Sequence, residues 1–430
     1  MVLGLGVTGR AVARIAAQHG AYVLASDSRD VAPAISEELA AHDVDVESGS
    51  HDRAGRELDG FDAVVPSPGI APINGFLADV IERGARITSS LDLAVQLTKA
   101  PVVAVTGTNG KTTVVRLAER IAREGGLDAY ACGNTETPFL SAADANPNAA
   151  LFVVEASSFA LAFCEELKPR VAIVTNLAPD HLEWHGSFEH YRDSKARIAA
   201  RQSAEDLFLF PTAQPELAEM APAGGPRVAG FPDARSGGLS GSWLDRASHF
   251  RDDASAAAIA LADLGIAEDA IGRAVGAFQL DAHRLEPVGS INGVRVVDDS
   301  VSTNPHAAVA ALRSLAPIGE AGHSGRIVLI AGGRNKNLDL RPLAGEASRM
   351  RGVVALGEAA GEIVEVFAAT GVGVKTVASM NEAVAAAIDM ALQADVILLS
   401  PACSSKDMFN GFDDRGRSFL QACRQLGLIA

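Results

Sequence analysis

The sequence has few cysteines, few aromatic residues, no excess of positive charge and no long apolar run. Its four cysteines stand far apart, without the spacing of a zinc site or a disulfide framework, and this favours a reducing compartment. The formal net charge of -16 opposes a phosphate backbone, so we expect no nucleic-acid partner. No apolar stretch is long enough to span a bilayer, and the first residues lack the features of a signal peptide. We therefore predict a cytoplasmic protein without a membrane partner.

The composition and the order of apolar runs predict an α/β protein of three domains. The 430 residues are 48% hydrophobic and only 5% aromatic, with abundant glycine and alanine, which suits helices packed closely on sheets. Three segments alternate apolar strands with helical periodicity, a pattern typical of parallel sheets with crossover helices. We expect a Rossmann-like domain over residues 1–100, a central phosphate-loop ATPase-like domain over 101–280 and a Rossmann-like C-terminal domain over 281–430.

Short apolar runs predict the strands of each segment. They span residues 2–5, 22–25 and 63–66, then 102–106, 151–154 and 171–174, and finally 327–331, 353–356 and 396–399. A helix is expected over 114–123. The stretch from 211 to 242 is rich in Pro, Gly and Ala and predicts irregular structure.

The run Gly4–Gly9, with glycines at 4, 6 and 9, follows an apolar start and opens a helix, and Asp27 lies at the end of the next predicted strand. This is the spacing of a dinucleotide fingerprint, in which glycines let the backbone approach a phosphate at a helix N-terminus. NAD is the usual ligand of such a motif, and a tight turn without any ligand is the alternative. The motif favours a nucleotide without saying which one.

A more specific phosphate loop spans residues 106–113, T-G-T-N-G-K-T-T, between a strand and a helix. Backbone N–H groups of such a loop hold phosphates, Lys111 would reach the terminal ones, and the Thr112 hydroxyl would bind Mg2+. Glu155 ends a neighbouring strand, and Asp180 and His181 follow another. Because the carboxyl ends of parallel strands lie at the same edge of a sheet, we expect these side chains to bind a ligand at that edge rather than to pack in the hydrophobic core.

Several motifs in order resemble the Mur ligase family along nearly the whole chain. The central segment carries T-G-T-N-G-K-T-T, E-x-S-S-F, T-N-x-x-P-D-H-L-x-x-H-G and Y-x-x-S-K-A-R-I. The third segment carries H-R at 283–284, D-D-S-V-S-T-N-P at 298–305, A-G-G-R-N-K at 331–336 and S-P-A-C-S-S at 400–405. These are most similar to a branch that adds D-glutamate to UDP-N-acetylmuramoyl-L-alanine in peptidoglycan synthesis. ATP there phosphorylates the substrate carboxylate, and the amine of the amino acid attacks the acyl phosphate.

The resemblance implies a role for each residue that matches a family motif. It implies ATP contacts at Gly107, Thr108, Asn109, Gly110, Lys111, Thr112, Thr113, Arg284 and Asp299. It implies contacts with the UDP substrate at Val7, Thr8, Asp27, Ser28, Arg29, Ser67, Pro68, Gly69, Asn134, Ser157 and His181. It implies glutamate contacts at Thr303, Lys336, Ser405 and Phe412, and catalytic roles for Lys111, His181, Lys195 and Asn134. It further implies a monomer that uses ATP and two Mg2+ ions, with metal contacts at Thr112, Glu155, His181 and Lys195.

Lys195 matches the family's modified lysine, so the resemblance implies a carbamate at this position. A free ammonium beside Mg2+ would be repelled, whereas a carbamate supplies an anionic oxygen. The alternative is an unmodified helix lysine with a solvated head group.

Three departures from the family pattern bear on nucleotide binding. Val301 stands where the family often has Lys, Ala160 where it has Gln, and Phe250 and Asp253 where it has two Asn residues that contact adenine. We expect Phe250 to stack on or beside the base. Three other functions stay open: a related ligase that adds a different amino acid such as L-glutamate, a nucleotide-binding regulator without catalysis and an NAD-dependent oxidoreductase.

Overall fold

The computed structural model describes residues 1–73, 75–233, 238–315 and 326–427, with the side chain of Ile291 left out. The chain divides into two compact units. Unit 1 comprises Met1–Leu177, His181–Ser240 and Asp252–Phe278. Unit 2 comprises Ala178–Asp180, Gly241–Arg251 and Gln279–Ala430.

The first sheet of unit 1 has four parallel strands in the order β3-β2-β1-β4. Its strands are β1 (Val2–Leu3), β2 (Val23–Asp27), β3 (Val44–Ser48) and β4 (Val65–Pro66). The helices of this segment are α1 (Val7–Gln18), α2 (Pro33–Ala40), α3 (Asp52–Glu57), α4 (Phe76–Glu82) and α5 (Ser90–Gln96). A Cβ at Gly9 would lie 1.9 Å from the Gly4 carbonyl oxygen, so helix α1 packs on its loop only with glycine there.

The second sheet of unit 1 has six parallel strands in the order β10-β9-β8-β5-β7-β6. Its strands are β5 (Val102–Thr106), β6 (Ala129–Gly133), β7 (Leu151–Glu155), β8 (Val171–Val174), β9 (Leu207–Pro211) and β10 (Arg227–Phe231). The helices are α6 (Lys111–Glu124), α7 (Phe139–Ala145), α8 (Ser158–Leu161), α9 (Leu182–His185), α10 (Phe188–Ala196) and α12 (Glu268–Gly276), together with residues 252–263 of α11 (Ser248–Asp263), whose first four residues belong to unit 2. Strands β5, β7 and β8 are buried along their whole length, as expected for the middle of a parallel sheet.

The sheet of unit 2 has six strands in the order β11-β12-β16-β13-β14-β15. Its strands are β11 (Glu286–Ile291), β12 (Val294–Asp298), β13 (Ile327–Gly332), β14 (Met350–Leu356), β15 (Gly373–Thr376) and β16 (Val396–Ala402). The helices are α13 (Pro305–Leu315), α14 (Arg341–Ala344), α15 (Ala360–Phe367), α16 (Met380–Met390) and α17 (Phe412–Gln425). Strands β11 and β12 pair antiparallel, which the expectation of purely parallel sheets missed.

The three sheets confirm the predicted α/β architecture, and the antiparallel pairing of β11 with β12 is one correction to it. A second correction concerns the stretch from 211 to 242. Residues 211–242 are not wholly irregular, since they contain a 3-10 helix at Pro215–Met220 and strand β10. Residues 234–237 of that stretch lie outside the described part. Within the described residues, none of the helices has the length and apolar character needed to cross a membrane.

A candidate nucleotide and substrate site

The phosphate loop joins β5 to α6 and is held by the segment after β8. Gly107 has φ 141° and Gly110 has φ 84°, so both positions favour glycine. A Cβ at Gly107 would lie 1.9 Å from Thr175 Oγ1. The backbone N–H groups of Thr108 and Asn109 donate to the backbone and side-chain oxygens of Asn176, each at 3.0 Å. The T-N motif at 175–176 therefore shapes the loop, a role that sequence analysis did not assign.

Thr112, Glu155 and Asn134 form a polar chain at the carboxyl edge of the central sheet. Thr112 Oγ1 donates to Glu155 Oε2 at 2.7 Å, and Asn134 Nδ2 donates to Glu155 Oε1 at 3.0 Å. Glu155 is buried at the end of β7. A hydroxyl and a carboxylate are oxygen ligands of the type that Mg2+ prefers, so the Thr112–Glu155 pair fits this ion.

Two lysine ammonium groups converge on one carbonyl of the phosphate loop. Lys111 Nζ donates to the oxygens of Gly107 and Thr108 at 3.1 and 3.0 Å. Lys195 Nζ donates to the same Gly107 oxygen at 2.7 Å and lies 4.6 Å from the ring centroid of Tyr191. Lys195 is only 2% exposed, so the reading of it as a solvated helix lysine is wrong. Adjacent cations at this loop favour binding of a polyanion such as a nucleotide phosphate.

His181 lies next to the E-x-S-S-F motif. It adopts φ 55° at the start of α9, and its ring meets the ring of Phe159 edge-on at 4.7 Å between centroids. Ser157 Oγ accepts the N–H of Ala160 and caps helix α8, so this hydroxyl has a structural task beside its predicted substrate contact. His185 stacks on Phe159. Burial and the nearby His190, Lys195 and His181 lower the pKa of His185 to about 3, so this histidine is neutral at physiological pH.

A cavity of about 450 Å³ opens at the carboxyl edge of the first sheet. Its lining includes eight of the residues predicted to bind the UDP substrate in the first segment, together with Asn134. These eight are Val7, Thr8, Asp27, Ser28, Arg29, Ser67, Pro68 and Gly69. Because Asn134 also donates to Glu155, one residue connects the cavity with the carboxylate beside the phosphate loop.

Asp27 holds the glycine loop from the end of β2. Its Oδ2 accepts the N–H of Leu5 at 2.8 Å, and its Oδ1 accepts the N–H of Arg29 at 3.0 Å. Burial alone would raise the pKa of Asp27, but the hydrogen bonds from Arg29 and Leu5 lower it to about 2. Asp27 is therefore an anion that organises the cavity wall, while the Arg29 guanidinium is largely exposed.

His51 and Ile70 also line this cavity, and sequence analysis missed both. His51 follows β3 without a motif around it, so only the position after a strand of the same sheet could have indicated it.

In unit 2, Lys336 pairs with a carboxylate of the protein. Its Nζ lies 2.5 Å from Asp180 Oδ1, and Asn304 Nδ2 donates to Asp180 Oδ2 at 3.2 Å. Thr303 lies directly before Asn304 on the loop after β12, and Ser405 is buried after β16. Arg334 and Ser404 form an isolated antiparallel bridge that joins their two loops. The structure thus brings the loops with Lys336 and Ser405 together at one edge of the third sheet.

Arg415 links the same loops from helix α17. Its side chain is 2% exposed and donates to Ser300 Oγ and O at 3.1 and 2.8 Å, and to Cys403 O at 3.0 Å. Ser300 Oγ in turn donates to the carbonyl oxygen of Phe412, the residue that begins α17. Burial lowers the pKa of Arg415 to about 10, so it remains a cation at neutral pH.

Arg284 and Asp299, the two predicted ATP contacts of unit 2, have different environments. Among the described residues, none forms a hydrogen bond with the buried Nε of Arg284, so this donor can still bind an anion. The Asp299 carboxylate already accepts from Leu285 N, Ser302 Oγ and Ser400 Oγ. Burial raises the pKa of Asp299 to about 6. The Asp299 carboxylate therefore stabilises the loop after β12 through hydrogen bonds within unit 2, and its contact with ATP stays a prediction.

The two positions that depart from the family's adenine pattern are both buried. Phe250 is 1% exposed and packs against Trp243 and His249, with ring centroids 5.9 and 4.4 Å away. The ring of Phe250 is therefore not accessible to a nucleotide base, and the prediction that it stacks on the base is wrong. Asp253 lies against the phosphate loop, since a Cβ at Gly110 would come within 2.5 Å of its Oδ1. Val301 is half-buried on the loop after β12.

Comparison with known proteins places the chain in a family. The family model for the Mur ligase middle domain matches residues 105–256, and that for the Mur ligase glutamate ligase domain matches 283–403. The model for the MurD-like N-terminal domain matches residues 1–89. Among solved structures, the MurF ligase of Thermotoga maritima in complex with ADP is 16% identical, with a TM-score of 0.61 over 95% of this chain and 97% of its own. At this identity the likeness concerns the fold.

Curated relatives are similar along nearly the whole chain. One from Desulfotalea psychrophila, named UDP-N-acetylmuramoylalanine–D-glutamate ligase, is 35% identical over 99% of this chain and 95% of its own length. A second with the same name, from Thermobifida fusca, is 36% identical over 99% of this chain and 98% of its own length. Together with the phosphate loop and the cavity, these matches show that the chain belongs to the Mur ligase family of ATP-dependent, amide-bond-forming ligases.

Proposed function

We propose that this ligase adds D-glutamate to UDP-N-acetylmuramoyl-L-alanine in peptidoglycan synthesis, through an acyl phosphate. The observation that carries the proposal is the position of Asn134, which lines the cavity of the first sheet and donates to Glu155. Glu155 in turn accepts from Thr112 of the phosphate loop. A substrate whose nucleotide occupies the cavity can extend past Asn134 and bring a carboxylate to the terminal phosphate of ATP.

The residues of unit 1 supply the positioning and charge that phosphoryl transfer requires. Lys111 and the N-terminal end of α6 hold the phosphates, and Asn134 orients the substrate carboxylate toward them. Mg2+ would be held by Thr112 and Glu155, and in this proposal also by His181; its charge would neutralise phosphate oxygens. Transfer of the γ-phosphoryl group to the carboxylate forms the acyl phosphate and releases ADP. The amine of glutamate then attacks the acyl carbon, and inorganic phosphate leaves.

Unit 2 supplies the amino acid in this proposal. Lys336 offers a cation to a carboxylate of glutamate, and Thr303 and Ser405 offer hydroxyl donors. The present partner of Lys336 is the Asp180 carboxylate, which is the same chemical group as the one it would bind in glutamate. Phe412 contributes an apolar wall at the start of α17.

We propose that Lys195 becomes a carbamate. As an ammonium group it would be repelled by the ammonium group of Lys111, which binds the same carbonyl oxygen, whereas a carbamate would supply an anionic oxygen for Mg2+. We also propose that the protein is a monomer. The net charge of -16 supports the proposal that it has no nucleic-acid partner. All four cysteines are buried and free, which supports a reducing cytoplasm.

Phosphate release tests the proposal against its alternatives. Full-length protein, ATP and Mg2+ are incubated with UDP-N-acetylmuramoyl-L-alanine and either enantiomer of glutamate. D-glutamate-dependent release supports the proposal, whereas release only with L-glutamate supports a relative of other specificity. Nucleotide binding without release under any condition indicates a regulator, and NAD(H) binding without a response to the UDP substrate indicates an oxidoreductase.

A further inference from the structure

His51 lies on the side of the cavity where the base of a bound nucleotide would be. The glycine loop follows β1, Asp27 ends β2, and His51 comes three residues after β3 ends. These strands are neighbours in the order β3-β2-β1, about 4.8 Å apart. A nucleotide with its phosphates at the glycine loop therefore runs past β2 toward β3. The base comes last along this direction, next to His51.

The hydrogen bonds of Ser26 determine which nitrogen of His51 carries a proton. Ser26 Oγ lies 2.8 Å from Glu47 Oε2 and 3.1 Å from Ser50 O, and neither oxygen can donate. The single hydroxyl proton of Ser26 is therefore directed to these acceptors. Since Ser26 Oγ also lies 2.6 Å from His51 Nδ1, the proton of that contact must come from the histidine. His51 thus donates through Nδ1.

The ring of His51 is neutral and fixed in orientation. Burial lowers the pKa of His51 below its usual value, so at neutral pH only one ring nitrogen is protonated. Burial alone would raise the pKa of Glu47, but the N–H groups of Arg53 and Ala54 lower it, so Glu47 remains an acceptor. Phe76 stacks on the imidazole at 4.7 Å between centroids. Among the described residues, none forms a hydrogen bond with Nε2, which therefore keeps an available lone pair.

From this geometry we infer that His51 accepts a hydrogen bond from the N3–H group of uracil through Nε2, and thereby selects a uridine nucleotide. Cytosine has an acceptor at N3, so two lone pairs would face each other and a cytidine nucleotide would bind less tightly. Asp27 is a weaker candidate for this contact, because both of its oxygens already accept from Leu5 and Arg29. The inference rests on the proposed function, which supplies the uridine nucleotide.

Titration of the full chain with three nucleotides tests the contact directly. UDP offers N3–H, CDP offers an acceptor, and N3-methyl-UDP offers no hydrogen at this position. We expect the wild type to prefer UDP over both analogues by about fivefold to tenfold, the usual value of one hydrogen bond. His51→Ala should bind the three nucleotides about equally, and His51→Gln, whose side-chain carbonyl can accept, should recover part of the preference. His42→Phe, in the same segment but outside the cavity, should behave as the wild type.

The outcomes separate this inference from the proposed function. If His51→Ala keeps the wild-type preference for UDP while its thermal unfolding is unchanged, another group binds the base and the inference is wrong. If the wild type binds UDP without preference over CDP, it is also wrong, although UDP-substrate turnover would still support the ligase. If the wild type does not respond to UDP or to the UDP substrate, both fail together.

Discussion

Lys336 Nζ lies 2.5 Å from Asp180 Oδ1, so the cation predicted to bind glutamate already holds a carboxylate. Both side chains are largely buried, and a pair removed from water is costly to break by deleting one partner. A carboxylate of the substrate can therefore bind Lys336 by sharing it with Asp180 or by replacing that contact.

Lys336→Ala should raise the KM for glutamate far more than the KM for ATP, by about tenfold or more, because a charge-assisted hydrogen bond is lost. Steady-state kinetics with each substrate varied in turn measure this ratio. Lys375→Ala removes an exposed lysine from β15 and serves as the matched control. An unchanged response to glutamate would show that Lys336 does not contact the amino acid.

Lys111→Ala should reduce turnover by about a hundredfold or more while the fold persists. Lys111 lies at the first position of α6 and donates to the carbonyl oxygens of Gly107 and Thr108, so its loss removes charge compensation for the phosphates. Phosphate release measures the loss, and thermal unfolding checks the fold. Lys99→Ala, an exposed lysine before β5, is the control. Near-normal activity of Lys111→Ala would refute the assignment of the phosphate loop.

Much of the central site follows from the sequence because its signals are local. Strands β5 and β8 match their predicted bounds, and the phosphate loop between β5 and α6 is a continuous motif. The glycine loop and Asp27 were indicated by the fixed spacing of a strand–helix–strand unit. These features depend on neighbours along the chain, so a single sequence contains them.

The remaining features depend on contacts between distant residues. The pairing of Asp180 with Lys336 joins positions 156 residues apart, and no local pattern indicates it. No sequence motif contains His51, so this residue is identified only by its position in the cavity wall and by its hydrogen bond with Ser26. The expectation that Phe250 stacks on a base failed because periodicity does not show which side of a helix meets Trp243 and His249.

Lys195→Ala should lose most activity, and a small carboxylate such as acetate should restore part of it by occupying the vacated oxygen position. The reason is that a carbamate would supply an anionic oxygen, whereas the ammonium places a second cation on Gly107 O. Activity with and without acetate, at constant ionic strength with chloride as the control, measures the rescue. Wild-type turnover of Lys195→Ala in CO2-depleted buffer would contradict the carbamate.

Arg415 should act as a positioning residue for the amino-acid site. Arg415→Ala removes three hydrogen bonds to Ser300 and Cys403, so we expect the KM for glutamate to rise by about tenfold with a smaller change in the KM for ATP. Added guanidinium ion should restore part of the affinity by donating to Ser300 and Cys403 in place of Arg415. Arg415→Lys keeps the charge and should lie between the two, and the exposed Arg417→Ala should match the wild type. Equal changes in both KM values without rescue would exclude this role.

Transfer of oxygen from the substrate carboxylate to phosphate tests the account most directly. UDP-N-acetylmuramoyl-L-alanine labelled with 18O in its alanyl carboxylate is converted with ATP, Mg2+ and D-glutamate, and the released phosphate is analysed by mass spectrometry. An acyl phosphate requires that the carboxylate oxygen attacks the γ-phosphorus and leaves with it, so one 18O atom should appear in each phosphate released. Phosphate without label, formed together with the amide product, would contradict activation of the carboxylate by phosphoryl transfer at this site.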